Sequence, residues 1–248
     1  IDVYISNLNY FYFFNTPNLT SITIGDGENG RYIKVKGCLY TKDKTKLIVA
    51  ERNIKKVLIN SSCQIIANYA FNIQCLEKVD FEKNSELKEI SYFAFSESGI
   101  KSLEIPNGVD LVDYGAFYKC EKLETINIPH SIFVIDFFTF SFTKLTKILI
   151  PKNVIKISFG CFFHCCNLTS VTFENESNLI EIDDYAFAST KIKLISIPKS
   201  VKRIGNYCFL NCHDLETVTF DDDDENIFQI GFQCFNGTKI DVINLNEI

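Results

Sequence analysis

The stretch VKRIGNYCFLNCHDLETVTF, residues 201–220, decides the fold. It opens with an aliphatic pair, Val201 and Ile204, followed by a small residue and an aromatic, Cys208 and Phe209. After a short polar loop, Leu215, Val218 and Phe220 fall on one face of an alternating strand. The same order recurs along the chain as Ile66/Phe71, Ile90/Phe95, Val112/Phe117, Ile135/Phe140, Ile157/Phe162, Ile182/Phe187, Ile204/Phe209 and Ile230/Phe235. Successive phenylalanines stand 22 to 26 residues apart. Self-similarity at such a period is the mark of a solenoid.

Each phenylalanine is followed by a strand of the form L-x-x-I-x-I/F, from residues 76–81 to 240–245. One half-buried strand cannot bury its face alone, but copies stacked about 4.8 Å apart in a parallel sheet can. The residue before each phenylalanine is small: Ala70, Ala94, Ala116, Thr139, Cys161, Ala186, Cys208 and Cys234. Such a series is expected where the chain turns tightly against the core. Pro106, Pro129, Pro151 and Pro198 each follow a strand directly, where the missing N–H ends the ladder. From Phe117 on, the spacing from phenylalanine to the next strand leucine or isoleucine alternates between six and five. The longer version carries Cys120, Cys165 or Cys212; the shorter carries Thr143, Thr190 or Thr238 at the matching place. The unit is therefore a pair of coils, which suggests tandem duplication of a two-coil block.

Upstream the pattern loosens. Ile5, Leu8, Phe13 and the strand at 19–24 form a degenerate first coil over residues 3–24. No polar capping unit precedes it, so residue 1 reads as a cut inside a longer protein. Residues 25–53 break the period: β-rich runs at 32–40 and 46–49, joined by the polar segment 41–45, read as a hairpin insert. Regular repeats then occupy 54–248, and the whole of 1–248 reads as one solenoid domain.

Composition limits the function. With 46% hydrophobic and 14% aromatic residues in 248, the chain has ample material for a continuous core. A net charge of −6 argues against a nucleic-acid surface, which needs basic clusters. No apolar run is long enough to span a membrane. No G-x-S-x-G, P-loop, G-x-G-x-x-G or H-E-x-x-H is present. His130, His164 and His213 fall in different coils and form no catalytic group. The reading is of a non-enzyme without a cofactor.

The run [VI]-x-x-I-x-x-x-A-F-x-x-C-x-x-L-x-x-[VI]-x-[IF]-P resembles the BspA-type leucine-rich repeat. The segment YIKVKGCLYTKDKTKLI, residues 32–48, resembles the V-x-x-G-x-L-Y-x-K-D element that interrupts many such arrays. The likeness covers residues 3–248. It implies a right-handed, β-rich leucine-rich-repeat solenoid with a parallel sheet on its concave face. It also implies adhesion or protein binding at a microbial or protist surface, with no catalytic motif to carry over. The chain departs from the pattern where a glycine often follows the second aliphatic residue, since only Gly205 and Gly231 supply it.

Ten cysteines invite a disulfide framework, but Cys120, Cys165 and Cys212 sit in alternate coils, about 10 Å apart and beyond bridging reach. Buried free thiols filling small core sites are the expectation. His164-Cys165-Cys166 and Cys212-His213 look like metal ligands, yet stand two coils apart, so no metal site is expected. The acidic run 221–225 lacks the glycine of a calcium loop and reads as a solvated turn. Asn18, Asn60, Asn167, Asn175 and Asn236 head N-x-S/T sequons open to glycosylation in a secreted eukaryotic protein. The binding candidates are the outward residues of the long strands: Thr125, Asn127, Lys147, Leu149, Ser170, Thr172, Leu194, Ser196, Thr217 and Thr219. That face has no aromatic anchor, and a solvated sheet of strand-favouring residues would read the same way.

The expected function is a non-enzymatic protein-binding or adhesion module of a surface or secreted protein, with a protein partner or an extracellular-matrix or host component. No nucleic acid and no membrane insertion by this segment are expected. The alternative is an intracellular, cytoplasmic leucine-rich-repeat scaffold, a setting that suits many unpaired thiols.

Overall fold

The computed structural model describes residues 16, 18–24, 30–220 and 229–240. Most of the degenerate first coil, the acidic run 221–225 and the end of the last strand lie outside the described residues. Within them the chain is a β-solenoid of stacked coils with parallel strands and no α-helix. Each coil contributes a two-residue strand from its aliphatic pair, such as Lys156–Ile157, and a second strand after its phenylalanine, such as Lys147–Ile150.

The phenylalanines form the spine. Rings of Phe71, Phe95, Phe117, Phe140, Phe162, Phe187, Phe209 and Phe235 stack in that order with centroids 4.9 to 5.7 Å apart and planes within 17° of parallel. The first seven are buried, and Phe235 at the end is half-buried. The small residue before each ring has a definite reason. Phe140 N donates to Cys161 O at 2.9 Å, Phe162 N to Ala186 O at 2.8 Å and Phe187 N to Cys208 O at 2.9 Å. Neighbouring backbones come within hydrogen-bond distance there, leaving no room for a large side chain.

Three positions after the aliphatic pair the backbone is left-handed in every coil: Tyr69, Phe93, Gly115, Phe138, Gly160, Tyr185, Tyr207 and Gln233 have φ between 49° and 58°. The two glycines follow from packing as well as from φ. A Cβ on Gly115 would lie 2.6 Å from the Phe93 ring, and one on Gly160 would lie 2.6 Å from the Phe138 ring. A large ring in one coil thus fills the space that glycine leaves in the next.

Each strand-ending proline starts a tight turn: Val109 N bonds to Pro106 O, Ile132 N to Pro129 O, Val154 N to Pro151 O and Val201 N to Pro198 O, all at 3.0–3.1 Å. The hairpin has three strands, Tyr32–Val35, Cys38–Thr41 and Lys46–Ala50. The apolar run 32–40 is not one strand, because Lys36 (φ 47°) and Gly37 (φ 78°) fold it back on itself. The third strand then pairs in parallel with Ile65–Ile66, so the insert is built into the solenoid wall. Cys38 and Cys63, unplaced by the repeat, are both buried in the core beside this junction.

The alternation of spacing has a structural counterpart. Beyond the first long-strand pair, Lys56–Ile59 with Lys78–Phe81 next to the insert, the pairs are Ser102–Leu103 with Thr125–Ile126, Lys147–Ile150 with Ser170–Phe173, and Leu194–Ile197 with Thr217–Phe220. Each of the latter joins a five-spaced coil to the six-spaced coil after it, and each pair forms its own two-stranded sheet. The cysteine of the longer coil makes a second link. Cys120, Cys165 and Cys212 donate Sγ–H to the carbonyls of Phe95, Phe140 and Phe187 at 3.0, 3.0 and 3.1 Å. Thr143 and Thr190 lie against Cys165 and Cys212 at 3.3 and 3.2 Å, and Ser98 holds the same place beside Cys120. The two-coil period is therefore a unit of hydrogen bonding as well as of sequence.

All ten cysteines are free, eight of them buried, with Cys75 half-buried and Cys166 exposed. Burial pushes Cys63 up to about 11 and Cys38, Cys120 and Cys165 up to about 12. The thiolate is the reactive form, so these groups are inert twice over, by protonation and by access. A chromogenic disulfide reagent at pH 8 is expected to modify Cys166 within minutes and Cys75 slowly. The other eight should react only in denaturant; fast reaction of Cys120, Cys165 or Cys212 in the native protein would refute this arrangement.

Candidate binding surfaces

The long strands alternate as their sequence requires. In Lys147–Ile150 the side chains of Ile148 and Ile150 are buried while Lys147 and Leu149 are exposed. Register places Lys147 beside Ser170, Leu149 beside Thr172, Leu194 beside Thr217 and Ser196 beside Thr219. Thr125 lies next to Ser102. The residues expected to form one outward face thus share it, and Leu149 and Leu194 stand 49% and 65% exposed. Asn127 differs. Its Oδ1 accepts from Ile105 N at 2.6 Å and its Nδ2 donates to Ile105 O at 2.9 Å, so its amide is committed to joining two coils. Ser170 and Ser196 are half-buried and offer less than their neighbours.

Of the sequon asparagines, Asn18, Asn167, Asn175 and Asn236 are exposed. Asn60 is held instead: its Nδ2 donates to Glu82 Oε2 at 3.1 Å and its Oδ1 accepts from the Ser62 hydroxyl. Each histidine has a local partner. His130 Nε2 lies 2.9 Å from Glu174, and the His164 ring stacks on Phe142 with centroids 5.2 Å apart. His213 Nδ1 lies 2.9 Å from Gly237 O. Glu174 is held below the usual carboxylate range, first by the Lys152 backbone N–H and then by His130. Among the described residues no group of three or more His, Cys, Asp or Glu could hold a metal ion.

The second sheet surface, made by the aliphatic-pair strands, is where sequence reasoning did not look. At one end it carries a network of ion pairs. Lys156 Nζ lies 2.9 Å from Glu181 and 3.2 Å from Asp183, and Arg203 reaches Glu181, Asp183 and Asp184 at 2.5, 3.2 and 3.0 Å. Burial raises Asp183, but the Asp184 N–H, Arg203 and Lys156 outweigh it and leave the carboxyl below its ordinary range. In the middle the surface is apolar, with Leu111, Phe133, Val134, Ile155 and Ile180 all exposed. The signal was available by alignment. Phe133, Ile155 and Ile180 occupy a position that holds Gln64, Lys88, Asp110 and Lys202 in other copies.

The comparisons with known proteins agree with this geometry. The model of the BspA type leucine-rich repeat region matches six copies, over residues 48–165 and 134–248. The chain belongs to the BspA-type leucine-rich repeat family. No curated protein matches it. Among solved structures, a leucine-rich repeat protein from Bacteroides ovatus is 25% identical with a TM-score of 0.63, over 85% of this chain and 60% of that one. A leucine-rich repeat protein from Eubacterium ventriosum is 23% identical with a TM-score of 0.64, over 90% of this chain and 54% of that one. The pneumococcal vaccine antigen PcpA is 18% identical with a TM-score of 0.56, over 85% of this chain and 69% of that one. The last two share the fold. This BspA-type chain spans 60% of the length of its Bacteroides relative. No helix among its described residues is long and apolar enough to cross a membrane.

Proposed function

We propose that this chain is a non-enzymatic protein-binding module of a surface or secreted protein, used in adhesion to a protein or matrix component. The observation that carries this reading is the long-strand face. Thr125, Lys147, Leu149, Thr172, Leu194, Thr217 and Thr219 stand exposed on rigid, stacked strands, a pre-ordered surface that loses little entropy on binding. Membership of the BspA-type family and the fold likeness to a vaccine antigen support the surface setting.

The test is a panel of purified extracellular-matrix proteins, screened by biolayer interferometry against the chain and its Thr125→Glu/Thr172→Lys variant. Both side chains are exposed, so the fold should be unaffected. A partner bound at micromolar strength by the chain, and at least about tenfold more weakly by the variant, is the expected result. Equal binding by both proteins would remove this face from the reading.

The ten unbridged thiols favour a second reading, an intracellular scaffold in a reducing compartment. Thiol titration of unreduced, denatured protein from the native source separates the two. Ten free thiols support the scaffold, and bridged ones support secretion.

A further inference from the structure

The stacking of the two-residue strands is interrupted at one place. Ile65–Ile66, Glu89–Ile90 and Leu111–Val112 continue the sheet begun by the hairpin, and a second sheet starts at Val134–Ile135. Elsewhere each coil is tied to the previous one by paired bonds such as Asp110 N to Lys88 O and Asp113 N to Ile90 O, or Ile155 N to Phe133 O and Ser158 N to Ile135 O. No such bond joins Phe133 N to Asp110 O or Asp136 N to Val112 O among the described residues. The turn side stays closed, with Gly115 N on Phe137 O at 2.9 Å and Phe117 N on Thr139 O at 3.0 Å. The seam is therefore open only toward the sheet surface. A shallow apolar cleft lies under it, lined by Ile105, Val112, Ile128, Ile132, Ile135 and Phe140, with room for roughly a methyl group.

The side chains around the seam are of two kinds. Phe133 is 58% exposed and is flanked by Leu111, Val134 and Ile155, with Ile180 one coil further on. Solvated strand positions in this chain are otherwise mostly polar, and an apolar group of this extent marks an interaction surface. Beside it run two carboxylates in adjacent coils, Asp113 and Asp136, edged by the stacked rings of Tyr114 and Phe137. Each accepts the backbone N–H of the following residue at 2.7 Å, and neither has a cation within ion-pair distance among the described residues. Lys156 is near Asp136, but its ammonium sits on Glu181 and Asp183. The contrast lies within one face: the acids of the Phe187 coil are matched by Lys156 and Arg203, and those at the seam are not. Burial, and then the neighbouring Asp113, hold the Asp136 carboxyl above its ordinary range, which is the environment a cation would relieve.

We propose that the seam between the Phe117 and Phe140 coils is a docking site for an extended protein segment carrying arginine beside aliphatic side chains. The guanidinium lies against Asp113 and Asp136 and over the Tyr114 and Phe137 rings, and an aliphatic neighbour covers Phe133 and Val134. Arginine fits better than lysine because a planar cation can bond a carboxylate and stack on an aromatic face together. The site is on a different surface from the long-strand face, so each stands or falls alone.

The probe is a fluorescent pentapeptide alternating leucine with arginine, and its counterpart with citrulline in place of arginine, followed by anisotropy. The arginine peptide should bind at least about tenfold more tightly than the citrulline peptide. The Asp113→Asn/Asp136→Asn variant, whose amide oxygens still cap the Tyr114 and Phe137 N–H groups, should erase that difference. Phe133→Ser, and separately Ile180→Ser, should weaken both peptides, and the Thr125→Glu/Thr172→Lys variant should leave both unchanged. Undiminished binding to the Asn variant overturns the proposal. So does failure of the arginine peptide to saturate below about 1 mM.

Discussion

Taken from pH 9 to pH 11, this protein is expected to unfold in a single cooperative step. The cause is the set of buried thiols. Cys63 stands at about 11 and Cys38, Cys120 and Cys165 at about 12, against 9.0 for a thiol in the unfolded chain. A group whose pKa is raised by folding holds its proton more tightly in the folded state. Its contribution is complete below pH 9 and is lost as the pH climbs toward the folded value. Each such thiol costs about 1.4 kcal/mol per pH unit, so four cost about 5 kcal/mol per unit across this window. That is commensurate with the whole stability of a domain, about 5–15 kcal/mol. Cys161, Cys208 and Cys212 are raised by burial as well and push in the same direction. Circular dichroism along a pH titration gives the midpoint, expected between about pH 10 and 11. Thiolate absorbance of the eight buried cysteines should appear together with unfolding rather than ahead of it. Cys120→Ser/Cys165→Ser tests the assignment, because a hydroxyl can donate to the same Phe95 and Phe140 carbonyls and does not ionise in this range. The slope of stability against pH should fall by about 3 kcal/mol per unit. An unchanged slope would place the alkaline sensitivity elsewhere.

Those cysteines illustrate how much of the molecule could be read from its residues. The repeat was legible because each coil must supply one ring to the spine and two strands to the walls. Phe71 to Phe235 therefore recur at a near-constant step, and the alternating faces around Ile148 or Val171 follow from the pleat. The six-five alternation was legible as a period but not as a mechanism. That Cys165 donates to Phe140 O, with Thr143 against it, depends on three atoms from two coils that sequence spacing alone does not bring together. Asn127 was misjudged for the same reason: an outward strand position reads as solvent-facing, and only the geometry shows its amide bound to Ile105. The run 32–40 hid its own turn, because Lys36-Gly37 interrupts an otherwise favourable strand composition. The apolar seam lies outside the L-x-x-I strands that carry the repeat, so the repeat pattern does not mark it. Phe133, Ile155 and Ile180 stand just before the aliphatic-pair strands, at a position that is polar in Gln64, Lys88, Asp110 and Lys202.

The second large effect is expected at the spine. Phe162 is fully buried between Phe140 and Phe187, with ring centroids 5.3 and 5.2 Å away on either side. Phe162→Ala removes the ring and leaves a cavity that the neighbours cannot fill. Both rings are fixed by their own backbone bonds, Phe140 N on Cys161 O and Phe187 N on Cys208 O. The cost should be about 4 kcal/mol, within the range for such truncations. Phe235→Ala should cost less than half as much, since that ring is half-buried and, among the described residues, stacked only on Phe209. The pattern of coupling is more telling than the size. In a linear array each coil is stabilised by its two neighbours, so a break in the middle separates two blocks that can unfold independently. Phe162→Ala should therefore turn one urea transition into two, whereas Phe235→Ala keeps one and shifts it. Phe162→Ala combined with Phe187→Ala should cost less than the sum of the two, because they share one stacking contact. Phe162→Ala combined with Phe71→Ala, several coils away, should be additive within about 0.5 kcal/mol. Equal losses at Phe162 and Phe235, or a single transition in the Phe162 variant, would mean that the coils do not draw their stability from the ring stack.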